Sequence, residues 1–168
     1  MTDGAKLMPL IKKKEKVMNT LNVGDKAFAF DALDQDGVRR TLADYNGKKL
    51  IVFFYPAAST PGCTAEACNL TDNYSVLQEA GYEILGVSAD TAKKQKNFQV
   101  KYNFPFPLLA DTEKQVIKGF GVWGEKKFMG RVYDGIHRMT FIIDQNGVVE
   151  RVISKVKTKD HAAQILSE

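Results

Sequence analysis

The run KLIVFFYP, Lys49–Pro56, constrains the fold of this chain more than any other stretch. Its apolar, β-branched and aromatic residues follow one another without polar alternation. That is the pattern of a strand covered on both faces. A helix is predicted directly after it, from about Pro61 to Ala80, with Leu70, Tyr74 and Leu77 on one side and Gly81 as its stop. YEILGVSAD reads as a second buried strand, and Asp90 or Thr91 then caps a helix through AKKQKNFQVKY.

Upstream, KAFAFDALDQDGVRRTLADYNGKK predicts two short strands around an Asp36-Gly37 turn. Downstream, Asp111 or Thr112 opens a helix over EKQVIKGF, and a loop rich in glycine and lysine spans Gly121 to Asp134. MTFIIDQNGVVERVIS is a hairpin turning on Asn146-Gly147, a pair favoured in two-residue turns, and KDHAAQIL closes the chain as a helix. This order predicts an α/β chain with a mixed central β-sheet flanked by helices and an N-terminal β-hairpin extension. It is the order expected of a thioredoxin-like fold.

Length and charge set the outer bounds. The 168 residues fit one domain, read as residues 21–168 behind a basic tail, 1–20. The net charge of +4 sits mostly in that tail, where Lys6, Lys12, Lys13, Lys14 and Lys16 face only Asp3 and Glu15. A short lysine run of this kind reads as a solvated helix face or frayed end, so no nucleic-acid partner is expected. No apolar run approaches a membrane span, and the N-terminus lacks the pattern of a secretory signal. The expectation is a cytoplasmic protein with no membrane partner.

Both cysteines of the chain lie in YPAASTPGCTAEACNL, residues 55–70. Thr60 is a good N-cap, Pro61 suits the first helical position, and Cys63 falls at the third. Backbone N–H groups of a first turn have no partner within the helix and carry the positive end of its dipole, so a thiolate at Cys63 is stabilised there. Cys68 follows five residues later. On an ideal helix the two Cα atoms stand about 8.6 Å apart, and disulfides want less than about 7 Å. Either the two never bond, or the helix opens when they do.

Other chemistries compete for these residues. Two small buried hydrophobes would satisfy a cytosolic core. Zinc would need ligands such as His137 and His161, whose spacing matches no usual site. A thioredoxin-type C-x-x-C is absent. GFGVWG, Gly119–Gly124, spells a dinucleotide fingerprint but follows a predicted helix rather than a strand, so it reads as a loop. His137 reads as a surface imidazole. Arg138 stands immediately before the apolar stretch MTFIID, where a guanidinium can reach inward.

With these residues in view, the chain resembles the peroxiredoxins, specifically the peroxiredoxin Q or bacterioferritin-comigratory-protein group. The likeness is carried by Pro56-x-x-x-Thr60-x-x-Cys63 within PAASTPGC, by its extension TPGCTAEAC, and by GKKLIVFFYP, DGIHRMTFIID and KTKDHAAQIL. The resemblance implies a thiol peroxidase without metal, flavin or haem, acting on hydrogen peroxide and alkyl hydroperoxides. It implies Cys63 as the peroxidatic and Cys68 as the resolving cysteine, with Thr60 and Arg138 framing the peroxide. Pro56, Pro61 and Gly62 then shape the pocket, and Glu66 orients the arginine. An intramolecular Cys63–Cys68 disulfide, reduced by thioredoxin or a similar dithiol, would complete the cycle in a monomer or weak dimer.

Two departures from that group stand out. Ala27-Phe28-Ala29-Phe30 lacks the proline of the usual Ala-Pro-x-Phe, and Ala57-Ala58-Ser59 replaces the usual charged residues before Thr60. The competing functions are a disulfide reductase built on the same dithiol and a binding or chaperone role using the basic tail.

Overall fold

The computed structural model describes residues 18–167, and the lysine run Lys12–Lys16 lies outside them. The central sheet has five strands: β3 (Lys49–Phe54), β4 (Tyr82–Ser88), β5 (Leu108–Ala110), β8 (Met139–Ile143) and β9 (Val149–Ile153). Their order is β5-β4-β3-β8-β9. The pairs β3–β4 and β4–β5 are parallel, while β3–β8 and β8–β9 are antiparallel. The mixed sheet expected from the sequence is therefore present, with β3 at its centre. No helix among the described residues is long and apolar enough to cross a membrane.

The unbroken apolar run now has its reason. Leu50, Val52 and Phe54 point into one core, against α4 (Gln115–Phe120) and the N-terminal segment. Ile51, Phe53 and Tyr55 point into the other, against α1 (Pro61–Asp72), α2 (Tyr74–Glu79), α3 (Ala92–Tyr102) and α5 (His161–Leu166). All six are fully buried. Each such side chain contributes about 1.5–3 kcal/mol of transfer free energy, so β3 anchors both layers.

The N-terminal hairpin forms as β1 (Asp31–Leu33) against β2 (Arg39–Thr41). Its turn and the β8–β9 turn share one device, visible as DQDG and DQNG. Asp34 Oδ1 accepts from the amides of Asp36 and Val38, and Asp144 Oδ1 accepts from those of Asn146 and Val148. The amides of Gly37 and Gly147 close back on the same aspartates, each glycine with φ near +80°. The hairpin expected at Asn146-Gly147 exists, but its turn runs over Asp144–Gly147. Only the glycine there takes a left-handed conformation, which a type I turn followed by a bulge requires.

Three other expectations need correction. Gly121–Asp134 is no loop: β6 (Trp123–Phe128) pairs with β7 (Arg131–Ile136) in a separate two-stranded sheet. The tight two-residue turn of this chain lies there, at Met129-Gly130, both with positive φ. The helix expected over Pro61–Ala80 breaks at Asn73, whose φ of −110° and ψ of 16° leave helical geometry while its side chain donates to Asn69 O. The helix expected from Asp111 begins only at Gln115. Asp111 nevertheless caps it from a distance, its Oδ2 accepting from Ile117 N at 2.8 Å. The sequence reading also passed over β5.

Candidate active site

The chain leaves β3 at buried Tyr55, and the loop Pro56–Thr60 carries it into α1. A buried polar chain fixes this loop from below. Tyr55 OH donates to Gln95 Oε1, Gln95 Nε2 donates to Ser88 Oγ, and Ser88 Oγ donates to Asp90 Oδ2. Asp90 Oδ2 also accepts from Ala58 N at 2.7 Å. This anchor holds Ser59 at a φ of 65°, a conformation a residue with a side chain adopts only under constraint.

Thr60 has the extended backbone of an N-cap, and its carbonyl starts the helix by accepting from Thr64 N. Its hydroxyl does not cap, contrary to expectation. It donates to Ala57 O at 2.8 Å, tying the loop to itself. Pro61 occupies the first helical position and Gly62 the second. Cys63 follows, buried at 1% exposure against Ala67 in the core beneath α1. Cys63 and Cys68 are both free thiols on the intact helix, Cys68 half-buried. Burial first, and then the charge of Asp72, push the Cys68 thiol up from its ordinary value.

Arg138 reaches Cys63 across 75 residues of sequence because of strand register. Met139 at the start of β8 pairs with Phe54 at the end of β3, so the residue before Met139 stands beside the β3–α1 turn. Arg138 Nη2 donates to Cys63 Sγ at 3.4 Å, and Nη1 donates to Glu66 Oε1 at 2.8 Å. Glu66 lies three residues beyond Cys63, on the same face of α1. The guanidinium bridges the sulfur and the carboxyl. A Cβ on Gly62 would stand 3.1 Å from Arg138 Nη2, so the absence of a side chain there admits the arginine.

Glu66 is fully buried. Burial raises its pKa to about 7, although the charge and hydrogen bond of Arg138 pull the other way. Burial also works against the charge of Arg138, but Cys63 and Glu66 outweigh it, and the guanidinium holds its proton more tightly than usual. Lys126 of β6 donates to Ile136 O at 2.8 Å; burial and then Arg138 lower its pKa, partly offset by Cys63.

The structure thus brings together Cys63, Glu66, Gly62 and Arg138, with Pro56 and Thr60 in the adjoining loop and Pro61 at the helix start. His137 is half-buried, its Nε2 near Glu125 O at 3.1 Å. Sequence reasoning missed Tyr55, Ser88, Asp90 and Gln95 as the loop's support, and Lys126 near the arginine. It also missed His161 behind Glu66. The uncommon polar residues inside apolar segments, such as Gln95 three residues before buried Phe98, were the available signal.

A family model of AhpC/TSA matches residues 23–152. The chain belongs to the AhpC/TSA family. It is 47% identical to peroxiredoxin Bcp of Escherichia coli strain K12 over 150 residues, covering 89% of this chain and 96% of that protein. It is 49% identical to a putative peroxiredoxin bcp of Haemophilus influenzae over 149 residues, with the same coverage. Among solved structures, a serine mutant of Xylella fastidiosa PrxQ superposes with a TM-score of 0.83 at 29% identity, covering 89% of this chain and 95% of that one. The bacterioferritin comigratory protein of Xanthomonas campestris, described for its alkyl peroxide reduction activity, gives 0.79 at 35% identity, covering 88% and 94%. The thioredoxin-like architecture is that of these peroxiredoxins. The chain is a peroxiredoxin of the Bcp and peroxiredoxin Q kind, a thiol-dependent peroxidase with peroxides as substrates and a thiol as reductant.

Proposed function

We propose that Cys63 is the peroxidatic cysteine, Cys68 the resolving cysteine, and Arg138 the residue that stabilises charge in both steps of the attack. The observation that carries this reading is the contact of Arg138 Nη2 with Cys63 Sγ in the first turn of α1. A charged donor at the sulfur and the unpaired amides of the helix start favour the anion together. The thiolate attacks the terminal oxygen of the peroxide. An S–O bond forms, the O–O bond breaks, and the departing oxygen takes the electron pair and then a proton to leave as water or an alcohol.

Lowering a thiol's basicity also weakens it as a nucleophile, so rate must come from donors aimed at the departing oxygen. A guanidinium has five N–H groups, and two of those of Arg138 are committed to Cys63 and Glu66. The others remain for the peroxide. Thr60, expected to frame the peroxide, does so as an acceptor. With its proton held by Ala57 O, its oxygen accepts from the O–H of the attacked peroxide oxygen and aligns it. Pro56, Pro61 and Gly62 shape the approach, and Glu66 holds the arginine.

Cys63 sulfenic acid then meets the Cys68 thiol. The S–S bond forms, water leaves, and an external dithiol, thioredoxin or a similar protein, exchanges the disulfide back to two thiols. Both cysteines sit on one helix of one chain, so a monomer or weak dimer suffices. The reading puts the enzyme in the cytoplasm, whose reducing pool keeps such thiols free.

Peroxide consumption coupled to thioredoxin and its reductase tests this assignment. Cys63→Ser should lose turnover with hydrogen peroxide and with an organic hydroperoxide, while remaining folded. Persistent turnover in that variant rejects the assignment. Reduction of protein disulfides in place of peroxide would favour a disulfide reductase.

A further inference from the structure

Behind Arg138, on the side away from Cys63, lies a buried group of polar side chains that the peroxidase reading does not use. Glu66 Oε1 takes the arginine, but Glu66 Oε2 is buried with no hydrogen-bond partner among the described residues. It faces His161 Nε2 at 3.6 Å. His161 is fully buried in the first turn of α5. Its two nitrogens are held by Gln164 Oε1 through Nδ1 and by Thr140 Oγ1 through Nε2, both at 2.8 Å.

The proton positions follow from the partners. Gln164 Nε2 donates to Lys155 O, and Gln164 Oε1 accepts from Lys157 N, which fixes the amide's orientation. The atom facing His161 Nδ1 is therefore an acceptor, so Nδ1 carries the ring proton. Burial first, and then the charges of Arg138 and Arg151, lower the pKa of His161 against the pull of Gln164, leaving the ring neutral. Nε2 then has no proton of its own and accepts from the Thr140 hydroxyl. The helix that carries it is held in place: Asn69 of α1 accepts from Ala162 N and donates to Lys159 O, and Arg151 of β9 donates to Ile165 O and Gln164 O.

A carboxylate in a dry site, facing an imidazole nitrogen that has no proton to give, is unfavourable, and the neutral carboxyl avoids that cost. We propose that His161 is a positioning residue of the peroxidase: held by Thr140 and Gln164 with its ring proton on Nδ1, it leaves Glu66 Oε2 without a donor and so favours the neutral form of the group that competes with Cys63 for Arg138. When Glu66 is charged, the guanidinium is shared between two anions. When Glu66 holds the proton, the full charge of Arg138 is left to Cys63 and the peroxide. The charged and titratable groups facing this network are Cys63 from α1, Arg138 ahead of β8, Arg151 from β9 and Lys126 from β6. Glu66 is brought to about 7, where small changes in pH change its charge.

The inference rests on the assignment of Cys63 and Arg138, and its test separates the two. In the reduced full-length protein, nitrogen NMR of the histidines should show His161 with its proton on Nδ1, and carbon NMR of Glu66 should titrate with a midpoint near 7. Neither reading depends on turnover. A proton on Nε2, or a Glu66 midpoint at the ordinary 4.5, overturns the proposal even if Cys63 is the peroxidatic residue. Stopped-flow oxidation of Cys63 by hydrogen peroxide across pH gives the functional arm. His161→Gln offers Oε2 a donor, which should move the Glu66 inflection down by about one pH unit. In a Glu66→Gln background the same substitution should move nothing. An unchanged profile in His161→Gln, or an equal shift in both backgrounds, overturns it.

Discussion

Arg138 stands between Cys63 and Glu66, 3.4 Å from the sulfur and 2.8 Å from the carboxyl oxygen, and Gly62 leaves the space through which it does so. One guanidinium thus couples a nucleophile to a buried acid on the same helical face. That coupling makes several properties of the enzyme sensitive to single substitutions.

Gly62→Ala is the smallest such change. An added Cβ meets Arg138 Nη2 at 3.1 Å, so the guanidinium must yield by a few tenths of an ångström. Alanine is the better helix former, so stability should hold or rise by up to about 1 kcal/mol. The contact to sulfur should weaken by about 1 kcal/mol, slowing peroxide oxidation roughly fivefold. Thermal melting and stopped-flow kinetics on one preparation check the opposed directions. Equal rates would mean that the arginine is not held as tightly as Gly62 indicates.

Glu66 predicts a pH dependence of stability. Its folded pKa is raised to about 7 from an ordinary 4.5. Between those values the folded state binds more protons than the unfolded one. The stabilising contribution is therefore full below about 4.5 and lost as pH rises through 7, amounting to about 3 kcal/mol at most. Glu66→Gln should remove this slope while keeping an acceptor for Arg138. Urea unfolding of both proteins at pH 5 and pH 8 measures it, and parallel curves would refute it.

How much of this was readable beforehand depends on the range of the interaction. The doubly covered strand was legible because Leu50 to Tyr55 alternate between two cores, which leaves no polar position in the run. The place of Cys63 was legible because threonine, proline and glycine mark a helix start locally. The hairpin β6–β7 was not, because its paired faces are largely exposed and its lysines and glycines mimic a loop. Phe128, Val132 and Tyr133 stay exposed there, so no buried face imposed an apolar alternation. The hydroxyl of Thr60 followed loop geometry rather than the N-cap preference of its residue type. His161 behind Glu66 depends on α5 packing across α1, a contact between distant segments that leaves no local mark.

Asp90 should matter to catalysis although it touches neither cysteine. Its Oδ2 accepts from Ala58 N and Ser88 Oγ, and so secures the loop that presents Thr60. Asp90→Ala removes a charged acceptor from two donors, costing about 1–3 kcal/mol of stability. Released from its anchor, Ser59 should leave its left-handed conformation and carry Thr60 out of line. Oxidation by peroxide should slow about tenfold or more, read by stopped-flow under conditions where the variant is folded. A stability loss without a change in rate would confine Asp90 to structure.

The resolving step demands the largest movement. Cys63 and Cys68 occupy one intact helix; ideal helical geometry sets Cα atoms five residues apart at about 8.6 Å, beyond the reach of a disulfide. The first turns of α1 must therefore open, exposing the face that buries Cys63, Ala67 and Leu70. Peroxide-treated enzyme should lose amide protection over residues 61–70 by about tenfold or more in hydrogen exchange, while β3 and β4 keep theirs. Cys68→Ser should oxidise at Cys63 within about twofold of the native rate, since the first chemical step does not use the second thiol. That variant should stop at the sulfenic acid and retain the helix. Equal protection in reduced and disulfide forms of the native enzyme would show that the two sulfurs meet by some route other than local unwinding.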